Sequence, residues 1–140
     1  MPIRDFPFIS IQPGGTPRPW LPIRITNPAT GLSQNAYGLI DTGADESALP
    51  ASYASVLGHN LQAGVERTVQ TGSGVTTAYS HTTSITIMNF QGEPAVTIDE
   101  TLIDFMPNLQ VVLLGVKSFL SKFILTINYP SQRFSIQLAP

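Results

Sequence analysis

The sequence predicts an all-β fold that closes into a barrel, with one projecting hairpin and one or two short helices. Three observations favour this class. Apolar and polar residues alternate over short runs such as Trp20–Thr26 and Arg133–Leu138, which is typical of half-buried strands. The 11 glycines and 12 prolines stand between these runs as turn residues. The turns recur about every 8–12 residues, a spacing typical of sandwiches and barrels.

The N-terminal part predicts a hairpin that leads into an acidic turn. Strands are predicted over residues 6–11, 20–26 and 36–40. Pro7 favours an edge position for the first strand, because proline cannot donate to a ladder. Residues 27–31 predict a turn between the next two strands, and the last of the three ends on Asp41.

The middle of the chain predicts a helix followed by a second hairpin. A short helix is expected over residues 50–57, since proline favours its first position and Gly58 its end. Residues 64–70 and 75–88 predict two strands. The glycine-containing segment 71–74 between them predicts a tight hairpin turn.

The C-terminal part predicts further strands and a second helix. The strands are expected over residues 95–98, 101–105, 109–114, 124–128 and 133–138. The almost continuously apolar run 109–114 favours a fully buried strand, whereas residues 116–123 fit two turns of helix. No repeat or linker interrupts the chain, so residues 1–140 predict a single domain.

Composition excludes several classes of protein. With 7 basic and 9 acidic residues and no basic cluster, the chain predicts no nucleic-acid partner. The absence of cysteine excludes disulfides and thiolate chemistry, and with only His59 and His81 we expect no metal site. We expect His59 at the surface and His81 beside a cross-strand partner. No signal peptide or membrane-spanning run is visible, which predicts a cytoplasmic protein without a membrane partner.

The strongest functional signal is the segment YGLIDTGAD over residues 37–45, in which an apolar strand ends on a carboxylate. A carboxylate at the end of a buried strand is costly unless hydrogen bonds or a function account for it. Asp and Gly are also common turn residues, so the segment alone favours a plain hairpin turn over a functional site. The other acids, Asp99, Glu100 and Asp104, lack a following Thr-Gly or Ser-Gly and are expected in or beside turns.

Together with other segments, this motif resembles the retropepsin-like aspartic proteases, the family that includes the retroviral enzymes. The matching segments are Asp-Thr-Gly-Ala-Asp at 41–45, Leu113, Leu114 and Gly115 near the C-terminus, the glycine turn at 71–74 in the place of the flap, Arg18-Pro19 before the first hairpin, and residues 127–134, which look like stand-alone members. The resemblance extends from about residue 18 to residue 138. It implies a closed acid-protease barrel with a flap hairpin.

The resemblance implies an aspartic endopeptidase, a hydrolase of peptide bonds. Such enzymes need two carboxylates that share a proton around a water molecule: one accepts a proton from the water, and the other polarises the scissile carbonyl. This sequence contains one Asp-Thr-Gly. The resemblance therefore implies a homodimer with one Asp41 from each chain, a polypeptide substrate and no cofactor.

The resemblance also assigns supporting roles. Thr42 is expected to send its hydroxyl across the dimer axis, and Gly43 to permit the tight turn. The residues expected to contact substrate are Ala44, Asp45, Gly72, Ser73 and Gly74. Those expected to act structurally are Leu113, Leu114, Gly115 and Arg18. For Arg18, a salt bridge to Asp45 of the other subunit and an exposed loop position remain equally weighted.

Two departures from the retroviral pattern leave an alternative open. Val116 stands where retroviral members carry arginine, and Lys117, which follows, is not a bidentate substitute. The turn at 71–74 also has fewer glycines than a retroviral flap. The alternative is a non-proteolytic module of the same fold for dimerisation or substrate docking. An unrelated β-barrel ligand carrier would leave both the acidic turn and the Leu-Leu-Gly segment unexplained.

Overall fold

The computed structural model describes residues 3–140. Within this range the chain forms ten strands and one α-helix. In chain order they are β1 (Ile3–Pro7), β2 (Trp20–Thr26), β3 (Ser33–Ile40), β4 (Ala48–Pro50), α1 (Tyr53–Leu57), β5 (Val65–Thr71), β6 (Gly74–Met88), β7 (Pro94–Met106), β8 (Val112–Leu114), β9 (Phe123–Asn128) and β10 (Arg133–Leu138). Single 3₁₀ turns cover Leu61–Ala63 and Leu120–Lys122.

Six strands close a mixed barrel. They hydrogen-bond in the order β2, β3, β8, β4, β7 and β6, and β6 pairs again with β2 to complete the circle. The pairings of β3 with β8 and of β4 with β7 are parallel. Alternate residues of β2 (Leu21, Ile23 and Ile25) are fully buried in the core with Ile85 and Ile87 of β6. The predicted all-β class and closed barrel are confirmed.

Most strands form where the sequence predicts them, with differences at their ends. The first strand lies at Ile3–Pro7, earlier than predicted, and is irregular because Asp5 has a φ of 56°. The two strands predicted over 95–98 and 101–105 are one strand, β7, in which Asp99 and Glu100 are exposed. A bulge opposite β6 accommodates them, because Thr83 faces Thr101 whereas Ile85 faces Ile98.

The two predicted helices have different outcomes. The first one forms as α1 and ends on Gly58, whose left-handed φ of 77° favours glycine. It begins at Tyr53 and not at Pro50 as predicted, because Pro50 is the last residue of β4, which pairs with β7. The helix predicted over 116–123 is wrong, since this segment contains turns and the single 3₁₀ turn Leu120–Lys122. The cause is Phe119, which is fully buried and has a φ of −136°, outside the helical range. The strand predicted over 109–114 is also shorter, and begins at Val112.

The β5–β6 hairpin extends beyond the barrel wall. Its two-residue tip is Gly72-Ser73, and Thr71 faces Gly74 across the turn. Strand β7 pairs with β6 from Tyr79 onward, so within the described chain residues 74–78 of β6 pair with β5 alone. This geometry leaves the outer half of the hairpin supported chiefly by its own ladder.

A second, three-stranded sheet has the order β1-β10-β9. It brings both ends of the described chain together, with Phe134 of β10 facing Phe6 of β1. The two rings stack with their centroids 5.5 Å apart. None of the described helices has the length and apolar character needed to cross a membrane.

Candidate active site

Asp41 lies directly after β3, beside the end of the parallel strand β8. Ile40 faces Leu114 across this pairing, and the Asp41 N–H donates a hydrogen bond to the Leu114 carbonyl at 3.1 Å. Gly38 allows the two strands to approach, because a Cβ at this position would lie 2.8 Å from the Leu114 side chain. Asp41 is half-buried at the end of the paired strands β3 and β8.

The loop of residues 41–47, called the acidic loop below, turns tightly around this carboxylate. The Gly43 N–H donates to Asp41 Oδ1 at 3.1 Å, and the Ala44 N–H donates to the Asp41 carbonyl at 3.2 Å. Thr42 and Gly43 are exposed at the apex. Neither ion pair found among the described residues involves Asp41, so backbone geometry rather than a neighbouring charge orients its carboxylate.

The acidic loop is held against residues 114–118 along its whole length. The N–H groups of Val116 and Lys117 donate to the carbonyls of Ala44 and Asp45 at 2.9 and 2.7 Å. Further along, the Gly115 N–H donates to Ser47 Oγ at 3.0 Å. These bonds satisfy backbone groups that no strand ladder reaches.

Gly115 is required by this close approach. A Cβ on residue 115 would collide with the carbonyl of Glu46 and lie 2.9 Å from that of Ala44. Leu114 beside it is fully buried, and Leu113 faces Ala48 of β4. The predicted Leu-Leu-Gly segment therefore lies against the acidic loop.

One ion pair lies beside the acidic loop within the described residues. Lys117 Nζ lies 3.9 Å from Glu46 Oε1, and because the lysine is largely exposed this pair contributes little. Asp45 is exposed. Arg18 is also exposed and bonds through its backbone to Ile9; it forms no ion pair with Asp45 within the described chain.

Gly72, Ser73 and Gly74 lie together at the hairpin tip. The Thr71 hydroxyl donates to the Gly74 carbonyl at 2.9 Å and closes the turn. Gly74 has a φ of 120°, which side chains with a Cβ rarely adopt, whereas Gly72 has an ordinary φ and open space around it.

Comparisons with known proteins are informative at the level of structure. No family model and no curated protein matches the sequence. A solved retropepsin-like aspartic protease from Rickettsia conorii superposes with a TM-score of 0.57 and 22% identity, over 95% of this chain and 98% of that one. The chain has the retropepsin-like fold. The EIAV protease complexed with the inhibitor HBY-793 matches with a TM-score of 0.41 and 22% identity, over 70% of this chain and 81% of that chain.

Sequence reasoning missed one buried acid in this retropepsin-like fold. Asp104 lies within β7, not beside a turn as expected, and is only 4% exposed. The Ser80 hydroxyl donates to Asp104 Oδ1 at 2.7 Å, and a guanidinium nitrogen of Arg67 lies 3.6 Å from the same oxygen. The signal in the sequence was an acid between the apolar pairs Leu102-Ile103 and Phe105-Met106.

The two histidines lie together beside the place where the β5–β6 hairpin joins the barrel at Ser80, called the foot of the hairpin below. Their ring centroids are 4.4 Å apart, and each ring packs against Phe105 at 5.3 Å. His59 is half-buried, so its predicted surface position is wrong. The Asn27 amide donates to His59 Nδ1 at 3.3 Å. Burial and the neighbouring His81 lower the pKa of His59.

A groove of about 500 Å³ lies outside the acidic loop. Its walls come from β1, β2, β3 and the β6–β7 turn, and include Phe6, Trp20, Tyr37 and Phe90. Among residues 3–140, no group of three His, Asp or Glu side chains has a geometry that could hold a metal ion.

Proposed function

We propose that this chain is an aspartic endopeptidase that acts as a homodimer, with one Asp41 from each chain. The observation that carries the proposal is the state of the Asp41 carboxylate. It is half-buried at the end of β3, anchored through its backbone to Leu114, and the Gly43 N–H is the one hydrogen-bond donor that the described chain offers it. Such a carboxylate is oriented yet available to a water molecule and a second acid.

The chemistry requires a second Asp41 because one carboxylate cannot be both base and acid in the same step. The ionised Asp41 accepts a proton from water as the water oxygen attacks the scissile carbonyl carbon, and the protonated one donates to the carbonyl oxygen. The proton taken from water then passes to the leaving amine as the C–N bond breaks, and one hydroxyl of the tetrahedral intermediate gives its proton to the other Asp41, which restores the singly protonated pair. The exposed apex of the acidic loop, Thr42-Gly43, supports a dimer axis at this point.

Substrate would lie between the acidic loop and the β5–β6 hairpin, which acts as the flap. We assign substrate backbone contacts to Gly43, Asp45 and the hairpin tip because these groups are exposed or carry free backbone at the two sides of the site. Ala44 would line the floor. We assign Arg18 of one chain to Asp45 of the other, because both side chains are exposed and neither is engaged in an ion pair among the described residues.

The test combines sedimentation over a concentration series with cleavage of a peptide library, with and without pepstatin. We expect pepstatin-sensitive cleavage whose rate per chain rises with dimer content. Asp41→Asn should lower cleavage by about 10³-fold or more while leaving the dimer intact. Asp99→Asn, an exposed acid on β7, is the matched control and should retain parent activity.

Two outcomes would contradict the proposal. A dimer of wild-type chain that cuts no peptide in the library would favour the non-proteolytic dimerisation or docking module. Cleavage by Asp41→Asn at the parent rate, or by a species that stays monomeric, would remove Asp41 or the dimer from the mechanism.

A further inference from the structure

We infer that Asp104 is a positioning residue that fixes the foot of the β5–β6 hairpin relative to the acidic loop. The contacts of its side chain and its backbone carry the inference by themselves. The catalytic consequence rests on the proposed function, in which the hairpin covers substrate.

Asp104 occupies the point where the hairpin leaves the barrel. It faces Ser80 of β6 on one side and Ala48 of β4 on the other, and Ser80 in turn faces Val65 of β5. One row of residues thus crosses four strands. Strand β7 makes only one further pairing with β6 beyond this row, Phe105 with Tyr79.

Each strand of the hairpin supplies one partner to the buried carboxylate. Ser80 of β6 donates at 2.7 Å, and Arg67 of β5 lies at 3.6 Å. A carboxylate that is only 4% exposed is costly without such partners. A movement that carries the foot of the hairpin away from β7 would strip both partners from Asp104. The cost confines movement to the outer part of the hairpin.

The backbone of the same residue bonds to the acidic loop. The Asp104 N–H donates to the Ser47 carbonyl at 3.2 Å, and the Ser47 hydroxyl accepts from the Gly115 N–H at 3.0 Å. Asp104 therefore contacts both elements: its side chain binds the hairpin, and its backbone N–H binds the acidic loop. No other acid of the chain is seen to bond to both elements within residues 3–140.

Hydrogen exchange tests this anchor without any need for catalysis. In Asp104→Asn, the charge that holds Arg67 is lost while the shape remains, and we expect amide exchange in residues 66–78 to accelerate about tenfold. Exchange in β2 should stay within about twofold of the parent. Asp99→Asn, an exposed acid on the same strand, should change neither region.

If Asp104→Asn fails to fold, Arg67→Gln removes the same ion pair from the exposed end and should accelerate hairpin exchange in the same region by a smaller factor. Where the wild type cleaves peptide, both variants should raise KM more than they lower kcat, since the proposed catalytic acid, Asp41, is unchanged in both. Hairpin exchange equal to that of Asp99→Asn, or acceleration spread evenly over hairpin and β2, would overturn the inference. Absence of cleavage by the wild type would contradict the proposed function. The exchange result alone would then test whether Asp104 fixes the hairpin.

Discussion

The acidic loop and the β5–β6 hairpin are both built around glycines, yet they use them in opposite ways. Five hydrogen bonds join the loop to residues 114–118, and Gly115 lies so close to Glu46 that a methyl group has no room. At the hairpin tip, Gly72 and Gly74 have no atom within 4 Å of a Cβ added to them. The loop needs glycine for close contact, whereas the tip uses it for backbone freedom.

This difference indicates a fixed part and an adaptable part within the proposed site. The loop is tied to residues 114–118, and the N–H of its buried residue Ser47 donates to the Ser118 hydroxyl at 3.3 Å. The outer hairpin is supported by its own ladder and by the contacts at its foot. A reacting group benefits from a fixed position, while a cover over a polymer substrate must admit and release it.

The largest expected effect is the difference in free energy of unfolding between two glycine-to-alanine substitutions, one beside the acidic loop and one at the hairpin tip. Gly115→Ala should lower the free energy of unfolding by about 3 kcal/mol, because backbone atoms of Glu46 and Ala44 must move. Gly72→Ala, which has an ordinary φ and open space, should change it by less than about 0.5 kcal/mol. Urea titration measures both, and equal losses would contradict the distinction between the two regions.

Thr42→Ala should weaken the dimer with little effect on the fold of each chain. Thr42 is exposed in the single chain, so its hydroxyl is free to bond across the proposed axis. The loss should be about 2 kcal/mol, or roughly 30-fold in dissociation constant. Sedimentation against Thr97→Ala, an exposed threonine on β7, measures it. Equal dissociation constants for the two variants would exclude Thr42 from the interface.

Gly74→Ala should strain the hairpin turn alone. Its φ of 120° disfavours any side chain with a Cβ, so we expect a loss of about 1 kcal/mol. Hydrogen exchange of the hairpin amides should rise, and exchange of the acidic loop should not. Acceleration in the loop as well would show that the two regions move together.

The smallest effect concerns the histidine pair at the foot of the hairpin. Because the folded pKa of His59 lies below its ordinary value of 6.5, the unfolded chain binds more protons in this window. Stability should therefore be full above pH 6.5, fall as pH drops through 6.5, and level off below the folded pKa. Partial exposure of the ring limits the size of this loss.

Urea unfolding at about pH 7.5 and about pH 5.5 measures the loss. His59→Gln retains an acceptor for Asn27 and should flatten the pH dependence. For each protein, the loss is the free energy of unfolding at the higher pH minus that at the lower pH, so any general change in stability caused by the substitution cancels. A dependence unchanged by His59→Gln would assign the acid sensitivity to other groups.

The fold was largely predictable from local patterns, and the acidic loop from a motif. Alternation over Trp20–Thr26 and Arg133–Leu138 gave strands with the observed bounds, because half-burial imposes a period of two. The resemblance singled out residues 41–45 and Gly115, and the structure places Gly115 against residues 44 and 46 of the acidic loop, while their roles stay predictions.

The errors share a cause, which is that tertiary contacts decided them. Residues 116–123 have a helical apolar pattern, but the first N–H groups of this segment bond to the acidic loop and Phe119 turns into the core. Asp104 and the stacked histidines depend on which strands become neighbours. No local pattern predicts that Ser80 and Arg67 both contact Asp104, since barrel closure decides which strands are neighbours.

The parallel pairing of β3 with β8 also has a kinetic consequence. Asp41 and Leu114 are separated by about half of the chain, so their contact closes one of the longest loops in the molecule. Contacts of such high sequence separation form slowly, and late in folding. A chain emerging from the ribosome carries Asp41 long before Leu114 exists to hold it. The Asp41 backbone therefore reaches its hydrogen-bonded position only after Leu114 has been made.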